Sequence, residues 1–336
     1  MKTQTSLLDL SHFPVMLSQI IQISNPIKGG IFVDCTFGGG GYSKALLKFS
    51  KTKVIGIDRD KEILSIAQKL ENEFVNRFKF YQLKFSQMES VLKSNVDTII
   101  FDLGLSSIQL KNLKRGFSFK SKEKLDMTMG LSDISAQDVV NNLSELQLKS
   151  IIKILGEERE ASRIAKNIVL ARSKSRITRV DQLVKIIEKS KKKNFSNKIN
   201  PSTKTFQALR IFVNKEISEL IKGIACATKL LKPGGKILVV SFHSIEDKIV
   251  KYFFSNYSKN KSRPSKYLPD NTEKDLNLFE NYNKKVIKPS KIEIKRNYPS
   301  RSAKLRYAVR SKNKFFSPLK LTQKFNKYLD VEGINV

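Results

Sequence analysis

Phe32-Val33-Asp34-Cys35-Thr36-Phe37-Gly38-Gly39-Gly40-Gly41-Tyr42-Ser43 reads as a buried strand that runs into a glycine turn and opens a helix. Residues 31–33 are apolar and β-favouring, and the glycines permit positive φ and let the backbone approach a ligand. Ala45, Leu46 and Leu47 then give the following helix a packing face. A glycine turn by itself is also an ordinary tight connection, so a nucleotide-type reading needs an acid after the next strand. Residues 53–57 make that strand pattern and Asp58 ends it, where a carboxylate can accept both hydroxyls of an adenosine ribose.

The loop discriminates between two adenosine-bearing ligands. A pyrophosphate site spaces its glycines G-x-G-x-x-G over a helix N-terminus, whereas here four consecutive glycines follow Asp34, and an acid in that place suits a cation. S-adenosyl-L-methionine carries an ammonium, a carboxylate and a sulfonium instead of phosphates, so Asp34 with a glycine turn matches it better than it matches NAD.

Outward from this stretch the pattern stays α/β. Residues 60–70 carry Ile63, Ile66, Ala67 and Leu70 on one helical face. Residues 78–83 read as a third strand followed by Phe85, and residues 97–101 as a fourth ending in Asp102-Leu103-Gly104. The residues of interest thus gather at the C-terminal ends of strands, where doubly wound sheets bind ligands. From 112 to 205 helix follows helix without a strand. Ser135 and Ser144 give N-terminal caps, and Ala161, Ile164, Ala165 and Ile168 form one apolar face. The basic run at residues 189–195 reads equally as a phosphate contact or a solvated loop. A strand returns at residues 236–240 and a helix follows His243. Residues 256–290 read as a long loop, and the tail interleaves Arg296, Arg301, Lys304, Arg306 and Arg310 with Tyr298 and Tyr307, which fits an RNA-contacting or site-closing segment. The expected organisation is one α/β domain in two parts, 1–111 and 206–336, interrupted by a helical insert at 112–205.

Composition narrows the partners. The 336 residues hold 63 basic against 31 acidic side chains, a formal charge of +32 that favours nucleic acid or an anionic membrane surface. The excess of lysine over arginine also fits the codon usage of an AT-rich genome. With two histidines and two cysteines, neither cysteine in a C-x-x-C arrangement, a His-rich or Cys-based metal cluster is excluded, and a Ser-His-Asp triad has few ways to form. No signal-peptide core and no membrane-length apolar run is present, so the expectation is a soluble, cytoplasmic protein.

In order along the chain stand HFPVML, DCTFGGGGYS, GIDRD, FDLGLSS-x-Q, RGFSF, LDM-x-M, GEER, TFQALRI-x-VN, SFHSIEDKIVK and RSAKLR. This series closely resembles the MraW family of bacterial rRNA methyltransferases, from His12 to about Arg310. The resemblance implies a class I S-adenosylmethionine-dependent methyltransferase, a Rossmann-like doubly wound sheet with an inserted helical subdomain. The implied reaction is methylation of N4 of a cytidine in the decoding region of 16S rRNA, free or within the assembled small ribosomal subunit, with no metal. It places donor contacts on Gly40, Gly41, Tyr42, Asp58, Phe85, Asp102 and Gln109, alongside Asp34 from the unaided reading. The chain departs from the family spelling in three places: Tyr42 stands where His is usual, Thr128 and Gly130 replace an Arg and an Asp, and residues 297–300 differ modestly.

Cytosine N4 shares its lone pair with the ring and needs acceptors for its N–H groups before it can attack. By analogy with amino-methyltransferases, Asp102 and the carbonyl of Leu103 are the candidate acceptors, with Asp126 as rival. Asp102 can equally serve the donor alone. Phe117, Phe119 and Phe242 are candidate stacking partners for a flipped base, with core packing as the competing role. His12 reads as a cap or surface residue against a substrate contact, and His243 as structural against a base.

Overall fold

The computed structural model describes residues 14–93, 95–191, 200–259 and 277–336. His12 and most of the 189–195 basic run lie outside these residues. The chain divides into two compact units, Met1–Ser107 with Gly223–Pro318 and Ile108–Lys222 with Leu319–Val336.

The first unit is built on seven strands: β1 (Gly30–Asp34), β2 (Thr52–Asp58), β3 (Phe78–Gln82), β4 (Val96–Asp102), β5 (Leu231–Ser241), β6 (Phe279–Tyr282) and β7 (Lys304–Arg310). Their order in the sheet is β3-β2-β1-β4-β5-β7-β6. The first five run parallel, and β7 lies antiparallel to both β5 and β6. Ile99, Ile100, Phe101, Ile237, Leu238, Val239 and Val240 are wholly buried. Such unbroken apolar runs form where helices cover both faces of a parallel sheet. Ile249, Val250, Phe253 and Phe254 of the Ser244–Asn256 helix are buried too, and both phenylalanine rings meet Phe279 of β6 edge-on at 5.3 Å.

β6 lies within the 256–290 span that the sequence presents as a loop, and the Lys304–Arg310 part of the basic tail is the sheet strand β7. Arg306 is 6% exposed and Arg310 5% exposed. Arg306 donates to Asp247 at 2.7 Å, and Arg310 donates to the carbonyls of Thr228, Leu278 and Asn313. These arginines hold the sheet edge and are not free for RNA. Arg301 remains exposed, its guanidinium 4.3 Å above the ring of exposed Tyr298.

The second unit is helical. Ser135 and Ser144 both close capping boxes, with Asp138 and Gln147 as reciprocal partners, and Ala161, Ile164, Ala165 and Ile168 face its core. It extends beyond the expected 112–205 insert at both ends and also recruits the C-terminus. The reason lies in the helix termini: Glu332, 2% exposed, accepts the N–H groups of Ile217 and Ser218 at 2.8 Å each, satisfying orphan donors in the first turn of the Glu216–Leu230 helix. Among the described residues no helix is long and apolar enough to cross a membrane.

Candidate active site

Register places three carboxylates side by side at strand ends: Asp34 lies opposite Gly56 and Ile100, Asp58 opposite Gln82, and Asp102 opposite Val240. Asp34 is 1% exposed and accepts Ser43 Oγ at 2.8 Å. Burial, reinforced by the charge of Asp58, pushes its carboxyl up to about 6.

The glycine turn is shaped from beneath by Phe37, whose ring packs on Phe78 and Phe80. Gly40 has φ +73°, and a Cβ there would come within 2.8 Å of the Phe37 ring; a Cβ on Gly41 would strike Pro14. Gly40 and Gly41 can therefore meet a ligand only through their backbone. A Cβ on Gly39 would meet nothing within 4 Å, so Gly39 marks the open side.

Gly38 and Asp60 donate their N–H groups to the two oxygens of Asp58, at 2.8 and 3.0 Å. Burial raises the Asp58 carboxyl from its ordinary value. Each carboxylate oxygen has two acceptor sites, so one on each remains for a diol. Phe85, half-buried after β3, meets Phe101 edge-on at 5.2 Å and fills the space above Gly223.

Asp102 donates its N–H to Thr36 Oγ1 at 2.7 Å. Its carboxyl is pushed up to about 8, first by burial and then by Asp34, with Glu246 and Glu293 acting the same way, while a hydrogen bond from Tyr42 opposes them. Oδ1 of Asp102 is buried without a hydrogen-bond partner among the described residues. Leu103 follows, 7% exposed, with its N–H donated to Val240 in the sheet, and Gly104 then turns the chain at φ +98°. Tyr42 is 3% exposed, and its hydroxyl reaches both Asp102 and the Val15 carbonyl.

One unit thus brings together Asp34, Asp58, Asp102, Tyr42, the glycines, Phe85 and Leu103. Gln109, 6% exposed, and Asp126, half-buried, belong to the other unit. There Asp126 sits in a segment clamped by Asn214, which accepts from Met129 N and donates to Met127 O, both at 2.8 Å. Thr128 contributes its carbonyl to Arg115. Phe117 is buried beneath Arg115, and Phe119 packs edge-on against Phe206. His243 is the N-cap of the Ser244–Asn256 helix in a capping box with Glu246, a structural task. Thr36, Glu246 and Glu293 escape sequence reasoning. Only the position of Thr36, two residues past Asp34, could have drawn notice, whereas the two glutamates act through chain folded back from far along the sequence.

A sheet in this order with its seventh strand reversed, a glycine turn after β1, and acids ending β1, β2 and β4 define a class I S-adenosylmethionine-dependent methyltransferase. The chain belongs to the MraW methylase family, whose model matches residues 9–311. It is 43% identical over 304 residues to a ribosomal RNA small subunit methyltransferase H of Ehrlichia ruminantium (strain Welgevonden), covering 88% of this chain and 98% of the relative. It is also 43% identical over 300 residues to the like-named protein of Bartonella grahamii (strain as4aup), covering 89% and 90%. Among solved structures, an rRNA methylase from Streptococcus thermophilus aligns over 87% of this chain and 96% of its own, at 10% identity and a TM-score of 0.38.

The residues present fit the donor. S-adenosylmethionine is cationic at its ammonium and sulfonium, and here desolvated carboxylates stand together while the acids around Asp102 raise one another's proton affinity. Asp58 retains acceptor capacity for the ribose, and the open side of Gly39 leaves room beside the backbone. The methyl donor is S-adenosylmethionine.

Proposed function

We propose that the chain methylates N4 of a cytidine in the decoding region of 16S rRNA, alone or within the small ribosomal subunit, and so works in the cytoplasm. The supporting observation is Asp102: a carboxyl oxygen at the end of β4, buried and unpartnered, beside the acids suited to the donor. An unpaired acceptor in a desolvated site gains most from an N–H donor, which the exocyclic amine of cytosine provides. The names of the Ehrlichia and Bartonella relatives favour small-subunit rRNA as substrate.

When bound, S-adenosylmethionine supplies an electrophilic methyl carbon whose bond to sulfur breaks, the electron pair staying with sulfur. The protein's own work is at the nucleophile. Asp102 accepts one N–H of N4 and draws its lone pair out of conjugation, and the Leu103 carbonyl is the natural second acceptor. As the new C–N bond forms, the proton of N4 passes to Asp102, whose surroundings favour the protonated form. Asp126 is the alternative acceptor. Positioning of the two reactants supplies much of the rate. The helical unit is assigned to substrate recognition.

Nucleoside mass analysis of small-subunit rRNA from a strain lacking the gene tests this. Loss of N4-methylcytidine at the decoding region is expected, and its retention would overturn the reading.

A further inference from the structure

In the helical unit the Ala161–Arg172 helix ends in Arg172-Ser173-Lys174-Ser175-Arg176, three cations and two hydroxyls with no acid among them. The turn borders a concavity of about 380 Å³ lined by Asn141, Val169, Arg172, Ser173 and Arg176. Val169 is its only aliphatic contributor, which argues against an apolar ligand.

The turn is held in shape. Ser173, Lys174 and Ser175 donate backbone N–H groups to Val169 and Ala171 carbonyls. Asn141 fastens the exit by accepting from Ile177 N at 2.9 Å and donating to Ile177 O at 2.7 Å. Arg172 is itself pinned through Nη1 to the Val140 carbonyl at 2.8 Å, leaving its other N–H groups available. Burial pulls this guanidinium below its usual value. No salt bridge joins Arg172, Lys174 or Arg176 to an acid among the described residues. Asp138, the acid on which the Arg176 charge acts, is committed to capping its helix through Ser135. Lys174, Ser175 and Arg176 are exposed.

A pinned, partly buried guanidinium beside a second arginine, a lysine and the Ser175 hydroxyl has the donor set that phosphate oxygens satisfy, while the Ser173 hydroxyl is spent on the Leu170 carbonyl. A protein of charge +32 meets polyanions readily. We propose that the Arg172–Arg176 turn is a docking surface for the phosphate backbone of an RNA substrate, adding affinity through phosphate contacts that carry no sequence information. This rests on the reading of the chain as an rRNA methyltransferase.

The test compares the full-length wild type with a Lys174→Gln/Arg176→Gln double variant, which spares the structural bond of Arg172. The probe is transcribed small-subunit rRNA, titrated over a range of salt concentrations. Binding is expected to weaken about tenfold near 0.1 M salt, with the slope of log K against log salt shallower by about 1.4 to 1.8, from about 0.7 to 0.9 per lost contact. Calorimetric affinity for S-adenosylmethionine and the melting temperature should stay at wild-type values. Wild-type methyl transfer to rRNA with unchanged RNA affinity and slope in the variant overturns the docking surface alone. Absence of transfer by the wild type to both the transcript and assembled small ribosomal subunits overturns the proposed function first.

Discussion

The Tyr42 hydroxyl donates to the Val15 carbonyl and stands beside the carboxyl group of Asp102, so the first turn of the helix after the glycine loop meets the end of β4 at a buried pair. Burial and the neighbouring acids hold Tyr42 well above its ordinary value, so it remains a neutral donor. Its hydroxyl dipole lowers the proton affinity of Asp102 against the burial and the acids around it. Tyr42→Phe should therefore move the alkaline-rising limb of kcat/KM to higher pH and cut activity at pH 7 by about tenfold, one pKa unit of effect. Tyr42→His, which restores the usual family residue, should recover most of it. A pH–rate profile that does not move in the Phe variant would remove Tyr42 from this role.

Asp102 also makes stability depend on pH. Its folded value of about 8 lies above the 3.8 of an ordinary Asp, so this group's contribution is fully present below about 3.8 and is lost as pH rises through 8. An Asn in its place does not titrate. Thermal melts of the ligand-free protein should show Asp102→Asn gaining on the wild type steadily from pH 5 to about pH 8 and levelling off above it. A constant difference in Tm across that range would mean that Asp102 ionises normally.

Asp58→Ala should weaken S-adenosylmethionine binding at least tenfold, since hydrogen bonds to a charged group contribute about 1.5–3 kcal/mol each. The N–H groups of Gly38 and Asp60 also lose their acceptor, which loosens the glycine turn. Titration calorimetry measures this directly, and unchanged affinity would remove Asp58 from the ribose role.

Asn214 is 2% exposed and bonds the backbone of Met127 and Met129, the former at a left-handed φ of +62°. Asn214→Ala would strand two buried backbone groups and should cost about 2–4 kcal/mol in urea denaturation. Asn214→Asp would keep the acceptor for Met129 but set a carboxylate against the Met127 carbonyl, and should be worse. A loss below about 0.5 kcal/mol for the Ala variant would show that other contacts hold the segment.

Much of the sheet unit is legible in the sequence. The strand and turn around Asp34, the acids ending the second and fourth strands, and the buried face of the Ala161–Arg172 helix all appear as short-range patterns. The sequence carries no local signal for the part the C-terminus plays in the helical unit, because Glu332 caps a helix more than a hundred residues earlier in the chain. The candidate stacking residues Phe117 and Phe119 are engaged in packing, and no local signal separates an aromatic ring that packs from one that stacks on a base.

By itself the sequence determined the strand–turn–helix junction, the succession of parallel strands and the placement of Asp34, Asp58 and Asp102 at strand ends, because side-chain alternation and glycine's access to positive φ are properties of neighbouring residues. Only the tertiary structure decided that Arg306 and Arg310 of the basic tail are buried in a strand and that Asp102 is a desolvated acid with an oxygen unpartnered among the described residues. Whether a charge is buried, and what it then costs, depends on which polar and charged groups distant segments bring to it. For Arg310 these are Thr228, Leu278 and Asn313, and for Asp102 they include Tyr42, Glu246 and Glu293.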